Sequence, residues 1–223
     1  MNEPILEQEK WIDAFSLKYH WEYRYSPIIC LTLALSTLSD EIEVGYFIAK
    51  QEFIIHRHPS LRENLMFIGN VKTKKRVNAM DYLICDSKVI EDKNILVEMS
   101  STLIKTNQQL NKELEVTDHN EKLFIAITKE QVHNFSRLSE DPNHIHKGDS
   151  AVVQGMLLLL LIEDYLATKN CFIKIGKITY FAPIKADCKL FFHWETSKKL
   201  SGIVNNIKCF TLTIKEEFVC QKN

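Results

Sequence analysis

The densest group of chemically able side chains is the string Phe135-Ser-Arg-Leu-Ser-Glu-Asp-Pro-Asn-His-Ile-His146. Within it Asp141 and His146 stand five positions apart, with Asn143 between them and Ser139 just upstream. An imidazole titrates near neutral pH, and a carboxylate beside it orients the ring or shares the proton, so the two together activate water. A turn built on Asp141-Pro142-Asn143 aims both side chains into one pocket. Shortly downstream, Gln154-Gly155-Met156 stands near the start of an apolar run. A backbone N–H at a helix N-terminus, beside a residue with no side chain, receives an oxyanion. Acid, base and oxyanion donor therefore fall within the fifteen residues 141–155. Gln154 either donates to that same oxygen or faces solvent beside the helix start, and the spacing does not separate the two.

Side chains on a loop need a rigid frame, and the flanking patterns supply one. Thr128 with Gln131 three residues on is a capping-box pattern for a helix ending near Ser139. Asp149 or Ser150 caps a long helix over about 151–168, apolar nearly all round and therefore buried. Upstream, Trp11, Ile12, Phe15 and Tyr19 give a helical spacing over 8–22, and Ser26-Pro27 opens a second helix that runs through Leu38. Segments 45–55, 64–76, 80–89 and 95–105 then read as an antiparallel meander, rich in Ile, Val, Phe and Tyr and separated by polar clusters. Residues 106–122 are almost wholly polar and read as a linker. After it come strand-like segments at 123–128, 172–181, 189–196, 203–212 and 214–219. The order repeats: a buried helix, then an extended run ending in an aromatic and a proline, with Phe53 and Pro59 in one half and Tyr180, Phe181 and Pro183 in the other. An α+β unit of about a hundred residues, used twice, fits this order, with halves at 1–105 and 123–223.

Composition narrows the function classes. With 28 Lys+Arg against 29 Asp+Glu, the net charge of −1 gives no reason to expect a nucleic-acid partner. Six glycines form neither a dinucleotide-binding nor a phosphate-loop string. The longest apolar run, Met156–Ile162, has seven residues and is too short to span a bilayer; the acidic, polar N-terminus does not look like a secretory signal. Six cysteines without a CxxC pair read as reduced thiols used as small core residues, which points to the cytoplasm. His56-x-His58 and His144-x-His146 lack a third ligand at metal spacing, so no metal and no other cofactor is expected; His56 and His58 read as exposed residues at a strand end. The basic run 72–76 reads as a solvated hairpin tip, with a contact for phosphates or an acidic partner surface as the sharper reading, and Lys198-Lys199 has the same status. Phe191–Trp194 reads as sheet packing.

The string Ser139-Glu140-Asp141-Pro142-Asn143-His144-Ile145-His146, followed by Gln154-Gly155-Met156-Leu157, resembles the MaoC-like, R-specific enoyl-CoA hydratase (hydratase 2) branch of the hotdog superfamily. That family carries S-[GE]-D-x-N-P-[LIV]-H and then H-G-M-L at the central helix. The similarity continues through 175–183 and, more faintly, over 51–59. The resemblance implies a double hotdog, in which two antiparallel sheets each wrap a long helix and pack as a pseudo-dimer. It also implies Asp141 and His146 as the catalytic pair, Asn143 as support of the loop, Gly155 N–H as oxyanion donor, and Ser139 and Gln154 on the substrate. The implied reaction interconverts trans-2-enoyl and (R)-3-hydroxyacyl thioesters of CoA or acyl carrier protein. A catalytically silent acyl-binding protein and a thioesterase are the alternatives on the same fold, and a homodimer fits either.

The chain departs from the pattern in four places, one of them inside the helix, where a small polar residue of the family falls on Leu159 or Leu160. His144 replaces the motif's proline, Gln154 replaces the histidine before Gly-Met, and only 147–153 separate His146 from Gln154, a shorter loop than the family's covering segment. The short loop predicts a wetter site, a different acyl group, or no catalysis. The first half has no D-x-N-x-x-H string, so at most one active site per chain is expected.

Overall fold

The computed structural model describes residues 8–21, 24–60, 64–106 and 122–218. Nine antiparallel strands form one sheet in the order β2-β3-β4-β1-β6-β9-β8-β7-β5. They are β1 Phe47–Ile55, β2 Met66–Val77, β3 Met80–Glu91, β4 Asn94–Lys105, β5 Lys122–Ala126, β6 Ile173–Tyr180, β7 Lys189–Thr196, β8 Lys199–Val204 and β9 Ile207–Glu217. Helices α1 Gln8–Phe15, α2 Pro27–Ser36, α3 Lys129–Leu138 and α4 Gly155–Ala167 complete the described elements, with a single 3-10 turn at His144–His146. Strands from before and after the polar stretch meet at β1 and β6, where Gln51 faces Ile178 and Phe53 faces Gly176. That pairing needs a glycine: a Cβ on Gly176 would lie 2.3 Å from the Phe53 ring. Most of the expected linker, 107–121, lies outside the described residues, and its last residue, Lys122, already belongs to β5.

α2 and α4 are apolar all round because both are enclosed: α2 buries every residue from Pro27 to Ala34, and α4 every residue from Met156 to Ile162. α2 packs on β2, β3, β4 and α4. α1 packs against α3 through Trp11 and Phe135, whose rings meet edge to face at 5.5 Å. Ser26 caps α2, accepting Ile29 N–H at 3.1 Å with Pro27 in the first turn, and Thr128 with Gln131 forms the reciprocal capping box of α3.

Several boundaries differ from the sequence reading. α4 starts at Gly155 rather than near 151, and neither Asp149 nor Ser150 caps it. Residues 151–154 are extended, because Val153 N–H donates to Ile184 O at 2.8 Å and Val152 bridges Lys185. α1 stops at Phe15, where Ser16 adopts φ +50. β8 and β9 meet at Asn205-Asn206, which both take positive φ, so the strand expected over 203–212 is two strands of a hairpin. Similarly, β2 runs on to Val77 and turns at Asn78-Ala79, which places 72–76 along an edge strand and not at its tip. His58 is not an exposed strand-end residue: its ring lies 4.9 Å from Trp21 and 5.0 Å from Phe218, and burial lowers its pKa to about 4. The five described cysteines are free thiols. No helix of the described residues is long and apolar enough to cross a membrane, and no group of three His, Cys, Asp or Glu side chains among them is placed to hold a metal ion.

Candidate active site

The loop after α3 is built from local hydrogen bonds. Ser139 ends the helix with its N–H and its hydroxyl both on Phe135 O, and Glu140 turns the chain at φ +53. Asp141 N–H then returns to Ser136 O at 2.9 Å, and Asp141 Oδ1 accepts Asn143 N–H at 3.0 Å across Pro142. This is an Asx turn, the conformation an aspartate favours two residues before a free N–H. The 3-10 turn follows and carries His146 inward, to 7% exposure.

Two contacts define the pair. His146 Nδ1 lies 2.6 Å from Val152 O, and His146 Nε2 lies 3.4 Å from Asp141 Oδ2. A carbonyl only accepts, so the ring's proton sits on Nδ1 and the Nε2 lone pair faces the carboxylate. Burial lowers the His146 pKa from its ordinary value; the Asp141 charge and the Val152 carbonyl oppose this, and His144 adds to it. The neutral imidazole and the carboxylate thus present two acceptors side by side, an arrangement that suits a water donating one hydrogen to each.

Both side chains line a cavity of about 830 Å³. Gly155, Met156 and Tyr180 line it too, and Thr32 and Leu35 of α2 reach it from the first half. Gly155 is the first residue of α4, so its N–H has no acceptor within the helix, and Gln154 provides no side-chain cap. The short loop 147–153 folds back through Val152 N–H on Ile145 O at 2.9 Å, while Ile42, Val44 and Tyr46 supply part of the cavity wall. Asn143 ties the two together. Its Nδ2 donates to Tyr46 O at 2.8 Å, and its Oδ1 accepts Gly45 N–H at 3.1 Å.

The structure therefore brings Asp141, His146 and Gly155 to one cavity and gives Asn143 a linking place. Ser139 and Gln154 line the same cavity, each with its side-chain donor already engaged. The Ser139 hydroxyl is engaged by Phe135 O. Gln154 does not face solvent: it is 3% exposed, its Nε2 donates to Val132 O at 3.0 Å and to Ser136 Oγ at 2.7 Å, and its Oε1 is buried without a hydrogen-bond partner. The missed residues are Tyr180 and Gln51, joined by a hydrogen bond of 3.0 Å. Tyr180 stood in the aromatic run before Pro183, but nothing local marks its partner, a single glutamine in a strand.

No protein-family model matches the sequence, and none of the curated proteins matches it. Solved structures do match in fold. HtdX from Mycobacterium tuberculosis superposes with a TM-score of 0.74 at 10% identity, over 92% of this chain and 93% of that one. A MaoC-like dehydratase from Phytophthora capsici gives 0.65 at 10% identity, over 95% and 92%. The chain has the hotdog fold of these structures. An acyl-ACP thioesterase from Bacteroides thetaiotaomicron gives 0.54 at 9% identity, over 88% and 91%. At these identities the likeness is one of fold. Within this fold the basic run on β2 is largely matched by acids: Lys72 pairs with Asp86 at 2.5 Å, Lys74 with Glu43 at 2.9 Å and Arg76 with Asp81 at 3.8 Å.

Proposed function

We propose that this protein is an enoyl-thioester hydratase, adding water reversibly to a trans-2-enoyl thioester of CoA or acyl carrier protein to give the (R)-3-hydroxyacyl thioester. The observation that carries the reading is the 3.4 Å approach of Asp141 Oδ2 to His146 Nε2, with both groups on an 830 Å³ cavity that the unpaired start of α4 also reaches. Water held between the two acceptors attacks C3 through its oxygen. The proton it gives up to the pair is delivered to C2 as the enolate collapses, so one water adds across the double bond and the pair ends as it began. Gly155 N–H meets the thioester oxygen as its charge develops. The proton stays on His146 Nδ1 throughout, donated to Val152 O, and fixes the reactive tautomer.

The test is hydration of crotonyl-CoA and of longer enoyl-CoAs, followed at the enoyl absorbance. Wild type is expected to consume the enoyl signal and the Asp141→Asn/His146→Ala double variant not to do so. Equal rates in the two proteins would overturn the reading. Release of free thiol without hydration would instead assign thioester hydrolysis to the same cavity.

A further inference from the structure

Tyr180, the last residue of β6, places its hydroxyl 3.0 Å from Gly155 O and 3.0 Å from Gln51 Oε1. Its ring stands against the α-carbon of Gly155, where a Cβ would lie 3.1 Å from both Cζ and the hydroxyl oxygen. Gln51 is wholly buried in β1, and its Nε2 reaches Met156 Sδ at 2.9 Å and Ser101 Oγ at 3.3 Å. Polar groups enclosed in this way are kept only where they satisfy one another. Here they do so across β1, β6 and the first turn of α4. Tyr180 lines the cavity, and burial pushes its pKa well up, so the hydroxyl keeps its proton.

Glycine has no Cβ to restrict its backbone, so a glycine at the start of a helix is held by what packs on it. The Gly155 carbonyl already serves the helix ladder. The Tyr180 hydroxyl has one hydrogen, shared between this carbonyl and Gln51 Oε1, and it meets the carbonyl one bond removed from the α-carbon that carries the Gly155 N–H. We propose that Tyr180, held in turn by Gln51, is a positioning residue that fixes the Gly155 backbone so that its N–H is aimed at the thioester oxygen. This rests on the hydratase reading of the cavity. Its effect is preorganisation: a donor already aimed where charge develops needs no rearrangement during the reaction. Neither side chain touches the reacting atoms.

Tyr180→Phe keeps the ring and removes only the hydroxyl. Selective ¹⁵N-glycine labelling leaves six amide signals, since the chain has six glycines, and Gly155→Ala assigns the one that matters. In Tyr180→Phe the Gly155 signal is expected to shift and its amide hydrogen to exchange ~10-fold faster, while Gly69 and Gly202 stay in place and report an intact fold. On enoyl-CoA, kcat is expected to fall by ~10-fold with KM held within about twofold and the pH profile unmoved, because the hydroxyl aims a donor and takes no proton. Gln51→Leu should act in the same direction and more weakly. An unmoved Gly155 amide overturns the proposal whatever the activity, and so does a moved amide with unchanged kcat in an active enzyme. A wild type that hydrates no enoyl thioester overturns the hydratase reading, and the amide measurement then decides the positioning by itself.

Discussion

α2 begins at Ser26-Pro27 and α4 at Gln154-Gly155, and the rest of the chain treats the two starts differently. At α2, Ser26 Oγ accepts Ile29 N–H, Pro27 has no N–H, and the buried Glu163 carboxyl of α4 takes up the Ser26 hydroxyl and the Ile28 N–H. The space beside it is about 10 Å³, closed in by Trp21, His58 and Phe172. At α4 no side chain caps the helix, and the space beside Gly155 is about 830 Å³. Both helices leave first-turn donors without an acceptor in the helix, and both carry the same dipole. A helix start becomes a place for a ligand's oxygen only where the chain leaves those donors unmet and the neighbouring volume empty. Glu163 also fills its site as an acid: burial raises its pKa to about 8, so it holds a proton at neutral pH.

The largest effect is expected at the open start of α4. The Asp141→Asn/His146→Ala double variant is expected to lose ~10²–10⁴-fold in hydration rate, the usual worth of a general acid–base pair. Because burial lowers the His146 pKa, the acid limb of wild-type activity should lie below pH 6.5; a limb above that value would mean that the ring is not held neutral. At the closed start, Glu163→Ala strands the Ser26 and Ile28 donors. It should destabilise the protein by about 3 kcal/mol in urea unfolding, with activity retained while the protein is folded.

A smaller effect sharpens the same contrast. Glu163 has a folded pKa of about 8 above an ordinary value of 4.5, so its contribution falls as pH rises between the two. His58, lowered to about 4 from 6.5, and His146 act oppositely below pH 6.5. Stability should therefore fall mainly between pH 6.5 and 8, and Glu163→Gln, neutral at every pH, should flatten that fall; a wild-type curve already flat there would mean Glu163 is ionised. The smallest expected change is at Gly155→Ala, whose Cβ must displace the Tyr180 ring from 3.1 Å. Turnover should drop by ~10-fold, as for Tyr180→Phe, with the fold intact by circular dichroism.

Much of the site was legible because its bonds are local. Asp141 binds two residues ahead and five behind, His146 binds the carbonyl six ahead, and the α3 cap spans three positions. Patterns on that scale survive in a linear string. The start of α4 was not legible, since 151–154 looks helical by apolarity and is drawn out by Ile184 and Lys185, some thirty residues on. Asn205-Asn206 carried a hairpin signal that an unbroken apolar reading passed over.

By itself the sequence determined the chemistry of the loop, the two apolar helices and the strand-rich α+β composition, because each follows from residue type and short-range spacing. Only the tertiary structure decided which helix start stays open. Glu163 closes α2 from 137 positions away, Asn143 reaches Tyr46 across 97, and Tyr180 reaches Gln51 across 129. Those partners are chosen by the register of β1 on β6 and by the packing of α2 on α4, and burial then sets which of them carry a proton.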